Sequence, residues 1–222
     1  MPDGHRLAGV AAVAVLVVLA ATACGGSKKN AAPKVDAHGC VVMSAPSPST
    51  RSEKKPTAKL DPAKTYDVVF QTNCGSFTVK LDVRDSPNTT ASFANLVRKH
   101  FFDGTIFHRI ALNFVIQGGD PTQRGDGGPG YTTVDTPPLA TKYTRGVVAM
   151  AKTQTQAPGT SGSQFFVVTA ANAGLPAQYA LLGRVVEGLA VVDRIGKLGD
   201  ANEQPTETVE IEHATLTTTS AK

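Results

Sequence analysis

Arg109 is the side chain in this sequence with the clearest chemical potential. It stands in Phe107-His108-Arg109-Ile110-Ala111-Leu112-Asn113-Phe114-Val115-Ile116-Gln117-Gly118-Gly119-Asp120-Pro121-Thr122. If Arg109, Asn113, Val115 and Gln117 share one face of a strand, a fixed charge and an amide project beside apolar groups. A guanidinium in an apolar wall is costly unless it has a partner or a task. An ion pair with a neighbouring carboxylate is the structural alternative.

Other chemical motifs are weaker. Gly125-Asp126-Gly127-Gly128-Pro129-Gly130 fits the spacing of a dinucleotide-binding loop, but that loop needs a helix after it, and Pro129 and Tyr131-Thr132-Thr133-Val134 do not offer one. Gly159-Thr160-Ser161-Gly162-Ser163 lacks the second flanking glycine of a nucleophile elbow and is expected as a turn. The five histidines are scattered without ligand spacing. We therefore expect a structural His108, no metal and no cofactor.

The elements that must position Arg109 follow from periodicity. Tyr66–Thr72 and Ser76–Leu81 are β-rich runs around Asn73-Cys74-Gly75, the pattern of an antiparallel hairpin. From Asn88 to His100 the period becomes helical, with Phe93, Leu96 and Val97 on one face and Asn88, Thr89 and Thr90 available as caps. Short apolar runs broken by Gly and Pro then continue from Gly104 to Gly188, as in a barrel or sandwich. A second helix is expected over Glu187–Lys197, and Thr208–Leu216 alternates as a closing strand. A mainly β domain with two helices is the result.

The N-terminal third is different. Leu7–Ala23 is a run of 17 uncharged residues behind His5 and Arg6, ending in small residues. That is the layout of a cleaved secretory signal rather than a permanent span. Ala21-Thr22-Ala23-Cys24-Gly25-Gly26 resembles a bacterial lipobox with Ala21 where Leu is usual, so Cys24 is expected to carry lipid. Multiple acyl chains would hold it stably on a membrane. The domains expected are thus a signal at 1–23, a tether at 24–64, a folded domain at 65–219 and a tail at 220–222. The protein should sit outside the cytoplasm, anchored as a lipoprotein.

Prolines 33, 46, 48, 56 and 62 punctuate the tether, and its Ser, Ala and Lys content predicts disorder. Between Gly25 and Lys64 eight basic residues face Asp36, Glu53 and Asp61, a net +5, against +4 for the whole chain. The signal is neutral, so the domain is left near −1. Basicity confined to a tether argues for attraction to anionic lipid headgroups and against nucleic acid as a partner. Cys40 and Cys74 could pair in an oxidising compartment or remain two free thiols; sequence leaves both open.

The Phe107–Thr122 segment also resembles the signature of the cyclophilins, with its Phe-His-Arg, Phe-Val-Ile-Gln and Gly-Gly-Asp. Four further stretches match in family order: Gly125–Tyr131, Gly146–Ala151, Gly162–Val167 and Leu182–Val185. The resemblance covers essentially all of 65–219. It implies a closed antiparallel β-barrel with two capping helices and peptidyl-prolyl cis-trans isomerase activity on proline-containing polypeptides. It places Arg109, Phe114 and Gln117 in catalytic positions. It assigns Val115, Gly125, Ala151, Lys152, Gln164, Phe166, Leu175 and Tyr179 to substrate binding. A monomer without cofactor is expected.

The chemistry suits such a set. Peptide-bond rotation faces a barrier of about 18–20 kcal/mol, while the two X-Pro isomers lie close in energy. Only rate is lacking, so an apolar pocket for the ring and a guanidinium near the twisting nitrogen suffice. Three departures stand out: Ala173-Gly174 where a Trp is common, in a chain without Trp; Tyr179 where a His is usual; and Lys152 for Asn, opening a longer loop to Ser161. These should change substrate preference and weaken cyclosporin binding more than they threaten catalysis. The competing class is a binding module that clamps proline segments without turning them over. A solute-binding lipoprotein needs a deeper, two-domain cleft than this length supplies.

Overall fold

The structure, a computed structural model, describes residues 33–220. The expected signal peptide and Cys24 lie outside the described residues. The strands are β1 (Lys64–Thr72), β2 (Gly75–Leu81), β3 (Thr105–Ile106), β4 (Arg109–Ala111), β5 (Val115–Gly118), β6 (Thr133–Val134), β7 (Val147–Met150), β8 (Thr160–Ser161), β9 (Phe165–Val168), β10 (Leu181–Glu187) and β11 (Glu210–Ser220). Two helices, α1 (Pro87–Arg98) and α2 (Leu189–Ile195), accompany them.

Nine strands form one sheet in the order β3-β11-β1-β2-β10-β7-β9-β5-β4, and every neighbouring pair is antiparallel. The sheet curls until Ile106 of β3 meets Asp120, just beyond β5, through a single bridge. The expected barrel is thus closed by one bridge rather than by a ladder. β6 and β8 pair separately.

Period-two alternation drives this arrangement. In β1, Tyr66, Val68, Phe70 and Thr72 turn inward, and in β2 Phe77, Val79 and Leu81 do the same. Inside, Phe70 stacks on Phe77 at 5.0 Å, and Phe93 of α1 meets Phe102 at 4.6 Å and Phe165 of β9 at 5.5 Å. β7 and β9 are buried on both faces, which is why they appear as unbroken apolar runs. Val148, Met150, Phe165 and Val167 enter the barrel core. Ala149, Phe166 and Val168, from the alternate positions, join Val115 and Tyr143 in a second cluster on the outer face. That second cluster carries the candidate site.

Two expectations need correction. Asn88, Thr89 and Thr90 do not cap α1 but lie within it, after Pro87 in the first turn. The cap comes from Asp135, whose carboxylate accepts the Thr89 N–H at 2.6 Å and the Asn88 Nδ2 at 2.7 Å.

The second correction concerns the tether. From Pro33 to its end the segment is not disordered: Val35 and Val41 bridge across a tight turn, and the chain then runs over the domain as an extended strap. Its Val41, Ser49 and Glu53 N–H groups donate to the carbonyls of Asn73, Pro121 and Pro129 at 2.8–2.9 Å. Arg51 donates to the carbonyls of Phe101 and Asp103, and Leu60 is buried. A disulfide joins Cys40 to Cys74 with Cα atoms 4.1 Å apart, which decides the question the sequence left open. Composition was misleading here because prolines also favour a bound, extended chain: they lower the entropy lost on docking.

Candidate functional site

The Arg109–Gln117 segment is a β-hairpin, not a single strand. Asn113 stands at its turn with φ 55°, a left-handed conformation that Asn tolerates. Folding the segment back sets Arg109 directly opposite Gln117, and Gln117 opposite Phe166 of β9. Phe166 in turn faces Ala149 of β7. One row across four strands therefore carries a cation, an amide, an aromatic ring and a small residue, all on the outer face.

Arg109 is about one-third exposed at 32%. Its Nε donates to Glu203 Oε2 at 2.6 Å and its Nη1 to Gln117 Oε1 at 3.2 Å, while the guanidinium carbon lies 5.8 Å from the Phe114 ring centroid. Gln117 Nε2 donates to Gln164 Oε1 at 3.1 Å, and Gln164 Nε2 to the Gly127 carbonyl at 3.0 Å. The polar groups thus form one chain along the site. Arg109 has the carboxylate partner that the structural alternative called for, and among the described residues its Nη2 takes no protein partner.

A cavity of about 250 Å³ opens beside the guanidinium, lined by Arg109, Phe114, Val115, Gln117, Ala151, Lys152, Gln154, Phe166, Leu175 and Tyr179. Such a volume lies below the roughly 300–1,000 Å³ of sites for drug-sized ligands and suits one small ring. Phe166 and Tyr179 meet edge to face at 5.5 Å, and the Lys152 ammonium sits 5.6 Å from the Tyr179 centroid. Next to it runs a groove of about 630 Å³ that shares Gln117, Ala151 and Lys152 and adds Gly125 and Gln164. All eleven domain residues singled out in the sequence therefore line one cavity or the other.

The groove wall is organised by Asp120. Burial works to raise this carboxyl, yet its hydrogen bonds from Thr122, Gly127 and Gly125 prevail and hold its pKa below the usual carboxylate value. Gly127 has to be glycine: a Cβ there would come within 2.1 Å of Asp120 Oδ1. His108 packs beneath this loop with both ring nitrogens buried and, among the described residues, without hydrogen-bond partners. Burial pulls its pKa below 6.5, Arg109 adding to the effect and Asp120 opposing it.

Three contributors escaped sequence reading. Glu203 lies 94 residues from Arg109, and no local pattern marks it. Tyr143 is fully buried; its hydroxyl donates to the Tyr179 carbonyl at 2.6 Å and accepts the Tyr179 N–H at 3.0 Å, fixing that wall. Desolvation raises the Tyr143 pKa, so it remains a donor. Gln154 was signalled only by the length of its loop.

Comparison with known proteins identifies the family and the fold. Residues 67–216 match the family described as cyclophilin type peptidyl-prolyl cis-trans isomerase/CLD. The peptidyl-prolyl cis-trans isomerase-like 1 of Gibberella zeae is 38% identical over 152 residues, covering 66% of this chain and 92% of that protein. Its counterpart in Bos taurus is 37% identical, covering 65% and 89%. The crystal structure of a cyclophilin type peptidyl-prolyl cis-trans isomerase from Cryptosporidium parvum, in the presence of the dipeptide Ala-Pro, superposes with a TM-score of 0.63 at 29% identity, covering 68% of this chain and 98% of that one.

Proposed function

Because the chain belongs to the cyclophilin-type peptidyl-prolyl cis-trans isomerases, we propose that the Arg109 cavity is where it rotates X-Pro bonds in exported polypeptides. One observation carries the reading. A guanidinium with two of its nitrogens committed to Glu203 and Gln117 stands at the mouth of a small cavity walled by Phe114, Val115, Phe166 and Leu175. The ring of proline fits the apolar walls, and the Cryptosporidium relative was crystallised in the presence of the dipeptide Ala-Pro. The remaining Arg109 nitrogen, Nη2, donates toward the proline nitrogen as its lone pair leaves conjugation with the carbonyl. That hydrogen bond is strongest in the twisted state, so it lowers the barrier without any proton transfer or covalent step.

The groove beside Gly125 and Gln164 takes residues preceding the proline. Tyr179 and the Lys152 ammonium narrow the mouth, and the rim at half-buried Ala173 and exposed Gly174 lacks a large ring. These features support weak cyclosporin binding. The strap belongs with the catalytic unit, so the test uses residues 33–222. NMR exchange spectroscopy of an X-Pro peptide should show acceleration without metal or cofactor. A folded protein that binds the peptide but leaves its exchange at the uncatalysed rate would be a clamp, not an isomerase.

Export and anchoring rest on Leu7–Ala23 and the Cys24 motif. A disulfide between Cys40 and Cys74 is in keeping with an oxidising compartment. Cys24→Ala should release the protein from membranes or stall its processing. Recovery of the wild type in the soluble fraction with an unmodified N-terminus would exclude the lipid anchor.

A further inference from the structure

Glu203 stands in a tight loop whose shape does not depend on its side chain. The Asp200 carboxylate accepts the Asn202 and Gln204 N–H groups, both at 2.8 Å. Backbone bonds run from Asp200 N–H to the Gln204 carbonyl and from Glu203 N–H to the Asp200 carbonyl. The loop is tied to β4 by the Ile110 N–H, which donates to the Glu203 carbonyl at 2.9 Å. Glu203 is thus anchored beside the residue that follows Arg109.

Two features of Glu203 oppose each other. Its φ is 63°, in the left-handed region where glycine or asparagine would be less strained. Yet the residue there carries a carboxylate, and that carboxylate reaches Arg109 Nε at 2.6 Å. The contact is half open to solvent, with side-chain exposures of 32% and 47%, so it contributes little to stability. Its geometric effect is larger. A guanidinium is planar, so fixing Nε and Nη1 fixes the direction in which Nη2 points. Gln117 alone leaves rotation about that single bond.

We propose that Glu203 is a positioning residue: it locks the Arg109 guanidinium so that its free edge faces the cavity. This rests on the assignment of Arg109 to catalysis above. Misplacing one donor by a fraction of its hydrogen-bond length affects turnover far more than affinity.

The experiment compares Glu203→Ala, Glu203→Gly and Glu203→Gln in residues 33–222, alone and with Arg109→Ala. Turnover of saturating X-Pro peptide is read by NMR exchange, affinity by titration, and the Arg109 Nε–Hε resonance by 15N NMR. Glu203→Ala and Glu203→Gly should lower turnover roughly 3- to 10-fold with affinity nearly unchanged. Glycine relieves the backbone, so a purely structural role predicts no loss from Glu203→Gly. Glu203→Gln keeps an acceptor and should recover part of the turnover, while all three shift the Hε resonance. In the Arg109→Ala background, Glu203→Ala should cost nothing more. Wild-type turnover in Glu203→Gly, an unmoved Hε resonance, or an equal loss in both backgrounds would overturn the inference alone. An inactive wild type would overturn the reading of the site, and this inference with it.

Discussion

Replacing Arg109 with alanine separates catalysis from binding within one site, and the structure allows its cost to be worked out. The side chain makes hydrogen bonds to Glu203 and Gln117 and lies over the Phe114 ring. Removing it leaves Glu203, which is 47% exposed, as a solvated carboxylate rather than a buried unpaired charge. Loss of so exposed a pair costs at most about 1 kcal/mol of stability. The variant should therefore fold, and its kinetics can be interpreted. A charge-assisted hydrogen bond made mainly in the twisted state is worth about 1.5–3 kcal/mol. Turnover should fall roughly 10- to 150-fold. Affinity should change little, because Phe114, Val115 and Phe166 still hold the ring. Phe114→Ala is the counterpart: its ring is partly exposed at the cavity wall, and its loss should raise the Michaelis constant with a smaller effect on turnover. Phe166→Ala is a poor probe, since a 4% exposed ring packed on Tyr179 and Tyr143 would cost about 3–5 kcal/mol of stability. Exchange spectroscopy at saturating peptide gives turnover, and titration gives affinity. If Arg109→Ala turned over bound peptide at the wild-type rate and lost only affinity, Arg109 would be a binding residue and the mechanism would be refuted.

Three further outcomes follow from the fold. Replacing Cys40 and Cys74 by serine opens a loop of sequence separation 34, which should cost ~3–4 kcal/mol on the chain-entropy account and speed amide exchange along the strap; an unchanged denaturation midpoint would contradict it. His108 has a folded pKa below 6.5, so as pH falls through 6.5 the unfolded chain takes up the proton first and stability declines. Thermal melts at pH 7.5 and 5 should show this loss, and His108→Phe should shrink it; equal slopes would exclude His108 as the source. Asp135→Ala removes the α1 cap and should cost about 1–2 kcal/mol, partly recovered by Asp135→Asn, as measured by denaturant unfolding.

Local chemistry made much of this protein legible in its sequence. The Tyr66–Leu81 hairpin, the helix around Phe93 and the closing strand follow from periods of two and 3.6, because burial of one face needs nothing but spacing. The ordered motifs from Phe107 to Val185 marked the family and named the residues that line the two cavities. Even so, the Arg109–Gln117 segment looked like one strand, since a turn at Asn113 is not distinguishable from a polar strand position until the chain folds back. Tertiary structure decided the partners. Asp135 caps a helix 46 residues away, Glu203 holds Arg109 across 94, and Tyr143 secures Tyr179 across 36. The strap shows the same limit in composition: Ser, Pro and Lys predict disorder for an isolated chain, and only the domain surface supplies carbonyls for its N–H groups and a thiol for Cys40. Periodicity tells a side chain which way to face. Which group it meets depends on how the sheet curls, and that is a property of the whole chain.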